Sequence, residues 1–127
     1  MAIRGFLMAM AIGVLFLASF ASSVDTRVSS KLCSPDKYQG DSAYANSVAT
    51  VLSDMMTTTA NSPGYERSTK AGNIDSQVFG HSTCQESLST SDCNLCMGVV
   101  EVLIQGNCPM SFTAKLETPD CTMEYSN

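Results

Sequence analysis

Two stretches of the chain carry apolar residues at helical spacing. The first predicts an amphipathic helix whose apolar face is formed by Tyr44, Val48, Val51, Leu52 and Met55. Asp41 or Ser42 can cap its start, because a short oxygen side chain accepts a hydrogen bond from an unpaired N–H group of the first turn. We expect the helix to fray in the threonines at 57–59 and to end in the loop at 61–64.

The second helix is predicted from about Asp92 to Gln105. The Ser-Thr-Ser-Asp run at 89–92 again supplies capping oxygens, and Gly106 is expected just beyond the helix, where glycine is favoured. The predicted buried face is formed by Leu95, Cys96, Val99, Val100, Leu103 and Ile104. Because valine and isoleucine are mediocre helix formers, tertiary packing must hold this helix.

Strand patterns surround the two helices. Strands are predicted at residues 26–32, 65–70, 76–83, 111–117 and 120–125, with a turn at 71–73. Phe112, Ala114 and Leu116 alternate with polar residues, and Val28 and Leu32 are the expected apolar members of the first strand. The element order predicts an α+β domain, with two helices packed on one face of an antiparallel β-sheet of about five strands.

The first 23 residues have the pattern of a secretory signal peptide. A basic start at Arg4 precedes an apolar run over residues 5–20, and the small residues at 21–23 suit a signal peptidase. A membrane anchor is the less favoured interpretation, because crossing a bilayer takes about 20 apolar residues. We predict cleavage after Ser23, or else after Ala21, and a single secreted domain over residues 24–127 with no membrane segment.

The charge of the predicted mature chain argues against nucleic acid and anionic membranes as partners. Removal of the leader with Arg4 leaves six basic and twelve acidic residues, a net charge of −6, and no basic cluster is present. Proteins that bind nucleic acid or anionic membranes concentrate Lys and Arg on one surface. We therefore expect neither as a partner.

Six cysteines lie in the predicted mature chain: Cys33, Cys84, Cys93, Cys96, Cys108 and Cys121. Cys93 and Cys96 have zinc-ligand spacing, but a structural zinc site needs four N or S ligands, and the other candidates are isolated cysteines and His81. A redox pair at the helix start is the second alternative. An even count in a small secreted domain instead favours structural disulfides, without a metal or cofactor.

The sequence gives little support for a catalytic site. His81 and Ser82 are adjacent, but no G-x-S-x-G motif is present, and a single histidine in a strand is more often a polar surface residue. The carboxylates are scattered, whereas a glycosidase needs two that face each other across a cleft. We predict that the protein is not an enzyme.

The cysteine pattern is more specific. Cys84, Cys93 and Cys96 follow a C-x8-C-x2-C spacing, and Cys108 and Cys121 come twelve and thirteen residues further on. The flanking residues include Gly64-Tyr65, Phe79-Gly80, Ser91-Asp92 and Tyr125. With these features the chain resembles the ginkbilobin-type antifungal domain, also called the cysteine-rich salt-stress-response/antifungal domain. The resemblance covers the whole predicted mature chain and looks like the single-domain secreted form.

The resemblance implies a disulfide pairing that the spacing alone leaves open: Cys33–Cys108, Cys84–Cys93 and Cys96–Cys121. It also implies binding of mannose and fungal cell-wall mannan. The family's sugar site uses an Asn directly after the first cysteine, an Arg six residues before the last and a Glu five residues after it. This chain has Ser34, Lys115 and Ser126 at those positions. Each lost charge-assisted hydrogen bond costs about 1.5–3 kcal/mol, so we expect a weakened sugar site.

Three functional hypotheses follow from these observations, and the absence of an acid/base constellation disfavours the third, an enzyme or an inhibitor acting on a secreted hydrolase. The first is a secreted plant defence protein of the antifungal lectin type, which acts in the apoplast on mannose-containing glycans of fungal walls. The alternative is an extracellular protein-interaction module that binds a receptor protein and no sugar. The departures from the family's sugar site at Ser34, Lys115 and Ser126 weaken the first hypothesis and favour the alternative.

Overall fold

A five-stranded antiparallel sheet carries both helices on one face. The computed structural model describes residues 24–127, and the predicted signal peptide lies outside the described residues. The elements are β1 (Ser30–Cys33), α1 (Ala43–Thr58), β2 (Glu66–Ala71), β3 (Val78–Cys84), α2 (Thr90–Asn107), β4 (Ala114–Glu117) and β5 (Cys121–Ser126). The strand order is β1-β4-β5-β3-β2, and every neighbouring pair is antiparallel. The predicted fold class is confirmed.

The core lies between the sheet and the helices. Its fully buried members include Val51 and Met55 of α1, Val100 and Ile104 of α2, and Met123 of β5. α1 lies so close to β3 that a Cβ on Gly80 would come within 2.3 Å of the Val51 Cγ1 atom. The sheet therefore presents one apolar face to the helices and leaves the other open.

Local capping explains where α1 begins and ends. The Ser42 hydroxyl accepts a hydrogen bond from the Ala45 N–H at 3.2 Å, as the sequence predicts. A short 3-10 turn at Thr59–Asn61 follows the helix. Gly64 and Tyr65 then both take positive φ angles, of 65° and 55°, which turn the chain into β2. The Tyr65 hydroxyl donates to the Leu88 carbonyl at 3.0 Å and so anchors this turn.

α2 differs from its prediction at its C-terminal end. The Ser89 hydroxyl caps the start by accepting from the Asp92 N–H at 3.1 Å, but the helix continues through Asn107. Gly106 therefore lies inside the helix, and its predicted position beyond the end is wrong. The Cys108 N–H still donates to the Ile104 carbonyl at 3.0 Å. Helical hydrogen bonding thus continues past the glycine.

The buried face of α2 is also rotated relative to its prediction. The buried residues are Cys93, Cys96, Met97, Val100 and Ile104. Leu95, Val99 and Leu103 are only half-buried: Leu95 and Leu103 still pack against the core, and the prediction of Val99 as a core residue is wrong. The bonded side chains of Cys93 and Cys96 turn that side of the helix toward the sheet. The three half-buried residues are left on its outer flank.

The first strand is shorter and more exposed than predicted. β1 begins at Ser30, and all four of its residues are exposed, with Leu32 at 66%. Val28 lies outside the strand and is exposed as well. The strand predicted over residues 26–32 therefore begins four residues later, and its two apolar members, Val28 and Leu32, are both exposed. β1 is an edge strand of the sheet and pairs only with β4. Its exposed residues add to the surface and not to the core.

Three disulfides join the elements. Cys33–Cys108 links the edge strand to the end of α2, with a Cα–Cα distance of 5.3 Å. Cys84–Cys93, at 5.7 Å, closes the corner between β3 and α2, and Cys96–Cys121, at 6.2 Å, joins α2 to β5. These are the pairs that the family resemblance implies. Crosslinks of this kind stabilise a domain by typically about 2–4 kcal/mol each.

Candidate functional site

The open face of the sheet carries the site positions named from the sequence. Strand register places one row of residues side by side across all five strands: Ser68, His81, Glu124, Lys115 and Leu32. Side chains alternate along a strand, so this row points away from the helices. The same alternation puts Phe79 and Ser126 on the open face, directly opposite each other on β3 and β5. We call this surface the open face.

Lys115 lies at the centre of a small charged cluster. Its Nζ atom is 3.1 Å from a carboxylate oxygen of Glu117, two residues along β4. Glu124 is its register partner on β5. The hydrogen bond that Lys115 donates to Glu117 raises the pKa of Lys115, and the charges of Glu117 and Glu124 add to this shift. The ammonium group is therefore a cation paired with Glu117, with Glu124 on the neighbouring strand.

Ser126 lacks the carboxylate of the family site, but Glu124 lies nearby. β5 remains regular through Ser126, and its side chains alternate between buried and outward-facing positions. Glu124 and Ser126 consequently share the open face, two residues apart. Glu124 thus provides an acceptor carboxylate beside Lys115.

Ser34 comes directly after β1, at the end of the sheet where Ser126 lies. Its backbone N–H donates to the Thr113 carbonyl at 2.9 Å, and its hydroxyl accepts from the Thr113 N–H at 2.9 Å. The hydroxyl is also 3.4 Å from the Asp36 carbonyl, to which it donates. Ser34 therefore ties β1 to the segment before β4, and its hydroxyl is already engaged in the backbone.

His81 and Ser82 point to opposite faces of the sheet. The Nε2 atom of His81 is 3.2 Å from Glu66, and its Nδ1 atom is 3.5 Å from Glu124. Ser82 is buried on the helix side, where its hydroxyl bonds the Thr59 hydroxyl at 2.7 Å. The structure does not bring together the Ser/His pair that can be drawn from the sequence.

The disulfides bear on the zinc and redox alternatives for the cysteines. All six are in disulfides, so neither Cys93 nor Cys96 is available as a thiolate ligand. Over residues 24–127, no group of three or more His, Cys, Asp or Glu side chains is placed to hold a metal ion. His81 has only carboxylates as ion-pair partners here, and it lies on the outer surface.

A second surface was missed by the sequence analysis. The outer flank of α2 carries an open apolar groove of about 550 Å³, lined by Ser91, Asn94, Leu95, Gly98, Val99, Val102 and Leu103. Val102 is 66% exposed. The helical pattern had placed most of these apolar residues in the core. The sequence signal was Val102, an apolar residue one position before Leu103 and outside the predicted buried face. It indicates that the apolar stripe of the helix is wider than one buried face.

Together, the fold and the open face define a disulfide-bonded recognition module. The family model described as "Salt stress response/antifungal" matches residues 32–127, and the chain belongs to this family. The predicted resemblance is thereby confirmed. The family consists of antifungal and ectodomain modules and is not a known class of enzymes.

Several plant proteins are similar to the chain. It is 28% identical over 123 residues to "Antifungal protein ginkbilobin-like protein 1" of Picea sitchensis, covering 95% of this chain and 92% of that protein. It is 27% identical over 122 residues to "Antifungal protein ginkbilobin-2" of Ginkgo biloba, covering 94% and 90%. It is also 30% identical over 97 residues to Plasmodesmata-located protein 8 of Arabidopsis thaliana, covering 73% of this chain and 35% of that protein.

Solved structures show the same fold. The tandem DUF26 ectodomain of the Arabidopsis thaliana cysteine-rich receptor-like protein PDLP8 matches with a TM-score of 0.75 and 28% identity, over 80% of this chain and 49% of that one. The corresponding PDLP5 ectodomain has a TM-score of 0.72 at 22% identity and supports the fold alone. The chain spans about half the length of these ectodomains. Neither helix within residues 24–127 has the length and apolar character needed to cross a membrane.

Proposed function

We propose that this protein is a secreted plant defence protein that binds mannose-containing glycans of fungal cell walls through the open face. The observation that carries the proposal is the pairing of Lys115 with Glu124, beside Ser126, at the end of the sheet where the family resemblance implies a sugar site. Its similarity to antifungal relatives over nearly their whole length supports a defence role. We propose the apoplast as its location and assign it no catalytic activity.

The proposed contacts are weaker than those the family implies. Lys115 can donate to a sugar hydroxyl but lacks the planar fork with which arginine clamps two neighbouring oxygens. Glu124 can accept from a hydroxyl in place of the missing residue-126 carboxylate. Ser34 contributes little, because its hydroxyl already bonds Thr113 and Asp36. We expect weak binding of a single sugar and stronger binding where several sugars are presented together.

A glycan array with the oxidised residues 24–127 tests this proposal. We expect binding to mannan and to mannose-rich glycans, and reduced binding by Lys115→Ala. Lys31→Ala removes the same charge from the edge strand and serves as the matched control. Reversion by Ser34→Asn, Lys115→Arg and Ser126→Glu should strengthen binding. A parent protein that binds no mannose-containing glycan would contradict the proposal, whether or not the triple revertant binds.

A second candidate function is favoured by the apolar groove on α2. The PDLP8 structure contains tandem modules, and this chain matches about half of it. We propose that, in this alternative, the groove packs against a second module of the same fold, either another copy or part of a receptor ectodomain. Such packing would cover Val102, which is exposed in the single module.

Solution mass measurements distinguish this alternative. If the groove pairs two copies, the oxidised protein forms dimers at high concentration, and Val102→Glu keeps it monomeric. Ile74→Glu changes a residue that is 93% exposed in the β2–β3 turn, and it should leave the dimer intact. A parent protein that stays monomeric, and binds no such ectodomain through the groove, would exclude this role.

A further inference from the structure

A shallow groove lies on the open face where β5, β3 and β2 run side by side. It has a volume of about 360 Å³ and is lined by Ser68, Thr69, Phe79, Gly80, His81, Glu124 and Ser126. Its volume falls at the small end of the roughly 300–1,000 Å³ that is usual for small-ligand sites. Glu124 and Ser126 line this groove, and Glu124 is also the register partner of Lys115. The groove and the proposed glycan site are therefore one continuous surface.

Phe79 gives the groove an aromatic wall. It lies on the open face between Lys70 on β2 and Ser126 on β5, and it is 45% exposed. An aromatic ring exposed among polar groups can pack against the C–H face of a sugar ring. The hydroxyl and carboxylate groups around it can bond the sugar's hydroxyls at the same time.

The charges of the open face indicate an uncharged ligand. Lys115 pairs with Glu117, and His81 lies within ion-pair distance of both Glu66 and Glu124. These groups largely satisfy one another, so a charged ligand would have to displace existing partners. A neutral polyhydroxylated ligand can bond their remaining lone pairs and protons without doing so.

The extent of the surface argues for more than one sugar. From Lys115 on β4, across β5, to Phe79 on β3 are two strand spacings and two residues along the strand, or about 12 Å. Resting on the proposed glycan-binding function, we infer that Phe79 and its groove form a second subsite. The open face would then bind a neutral oligosaccharide of at least two sugar units, with one unit near Lys115 and Glu124 and the next against Phe79.

Titrations with methyl α-mannoside and an α-linked mannotriose test this inference by NMR. The parent protein should bind the triose more tightly, and only the triose should shift the Phe79 ring signals. Phe79→Leu keeps an apolar side chain but removes the ring, and it should weaken triose binding about fivefold while leaving the monosaccharide unchanged. Met110→Leu changes a residue of similar exposure, 49%, outside both proposed binding surfaces and is the matched control.

The outcomes separate the subsite from the proposed function. If parent and Phe79→Leu bind the triose equally, the subsite is wrong and the glycan-binding function stands. If Phe79→Leu weakens both ligands alike, Phe79 belongs to a single site and the second subsite is also wrong. If the parent binds neither ligand, both proposals fail. Should Phe79→Leu not fold, the Phe79 ring signals of the parent protein decide.

Discussion

Lys115 and Glu124 face each other across strands β4 and β5 on the open face of the sheet. Lys115 also pairs with Glu117 at 3.1 Å, and Glu124 lies 3.5 Å from the His81 ring. The sequence departs from the family's sugar site at Ser34, Lys115 and Ser126. The strand register nevertheless keeps a cation and a carboxylate next to each other there, and we base the proposed function on this pair.

Peptide mapping without reduction checks the disulfide pairing. We expect three linked peptide pairs, containing Cys33–Cys108, Cys84–Cys93 and Cys96–Cys121. The measurement is mass spectrometry of the oxidised protein digested at acidic pH, where thiol–disulfide exchange is slow because few thiolates form. A Cys93–Cys96 link would contradict this architecture and revive the redox alternative.

The ion pair between Asp54 and Arg67 should make stability depend on acidic pH. Arg67 donates to Asp54 through two nitrogens, at 2.9 and 3.2 Å, and these hydrogen bonds lower the pKa of Asp54 below 3.8. Because the folded-state pKa is depressed, the stabilisation is complete above the unfolded-state pKa. It is lost as the pH falls through the folded-state value.

Asp54→Asn should therefore lower the free energy of unfolding near neutral pH by at most about 1 kcal/mol, since water screens a partly exposed pair. The difference from the parent should be constant above the unfolded-state pKa and should shrink as the pH falls through the lower folded-state pKa of Asp54. Arg27→Ala removes a fully exposed partner of Asp25 and is the control, with no expected change. Urea unfolding at several pH values measures these differences, and a gap that does not shrink with acidification would rule out the ion pair as its cause.

Tyr125 should stabilise the fold through a buried hydrogen bond. Its hydroxyl donates to the carbonyl of the buried Ser111 at 2.7 Å. Tyr125→Phe leaves that carbonyl without its partner, at a cost of about 1–3 kcal/mol in the free energy of unfolding. Tyr65→Phe removes a bond to the Leu88 carbonyl at a more exposed position, so it should cost less.

Alkaline pH gives a second measurement on the same residue. Burial raises the pKa of Tyr125, and the nearby Tyr38 and Tyr44 add to this shift. A raised pKa means that the stabilisation is present below the unfolded-state value of about 10 and declines as the pH rises above it. The stability of the parent should therefore fall more steeply above pH 10 than that of Tyr125→Phe. Equal slopes would contradict the burial of this hydroxyl.

Two glycines should respond oppositely to alanine. At Gly80 the added methyl group would lie 2.3 Å from the Val51 Cγ1 atom, so Gly80→Ala should destabilise the protein by about 1–3 kcal/mol. At Gly98, inside α2, nothing apart from its chain neighbours and the backbone of the helix itself lies within 4 Å of the added Cβ. Gly98→Ala should stabilise by up to about 1 kcal/mol, because alanine is the better helix former. Denaturant unfolding of both variants compares these effects, and a neutral Gly80→Ala would contradict the close packing of α1 on β3.

Local signals predicted most of the fold. The capping segments at 41–42 and 89–92 were identified because a hydroxyl cap is a local interaction, and Ser42 and Ser89 are the residues that cap. The alternation of β4 followed from its period of two. The start of β1 and the burial of Val99 were predicted wrongly, because they depend on strand pairing and on the rotation of α2 about its axis. Both are set by contacts between residues far apart in the sequence.

The candidate site shows the same limit. Lys115 and Ser126 could be named from their spacing to Cys121 together with the family resemblance. The importance of Glu124 could not, because it depends on the register between β4 and β5 and on β5 staying regular to its end. The groove at Phe79 likewise requires β3 to lie between β2 and β5.

The most direct test of glycan binding by the open face is a mannan-binding titration of the oxidised protein and its Glu124→Gln variant. Glutamine keeps the shape of the side chain but removes the charged acceptor. We expect binding to weaken about tenfold or more, as for the loss of a charge-assisted hydrogen bond. Glu86→Gln, on a loop outside the open face, should bind as the parent does. Equal binding by the parent and Glu124→Gln, or binding by neither, would contradict the proposed site.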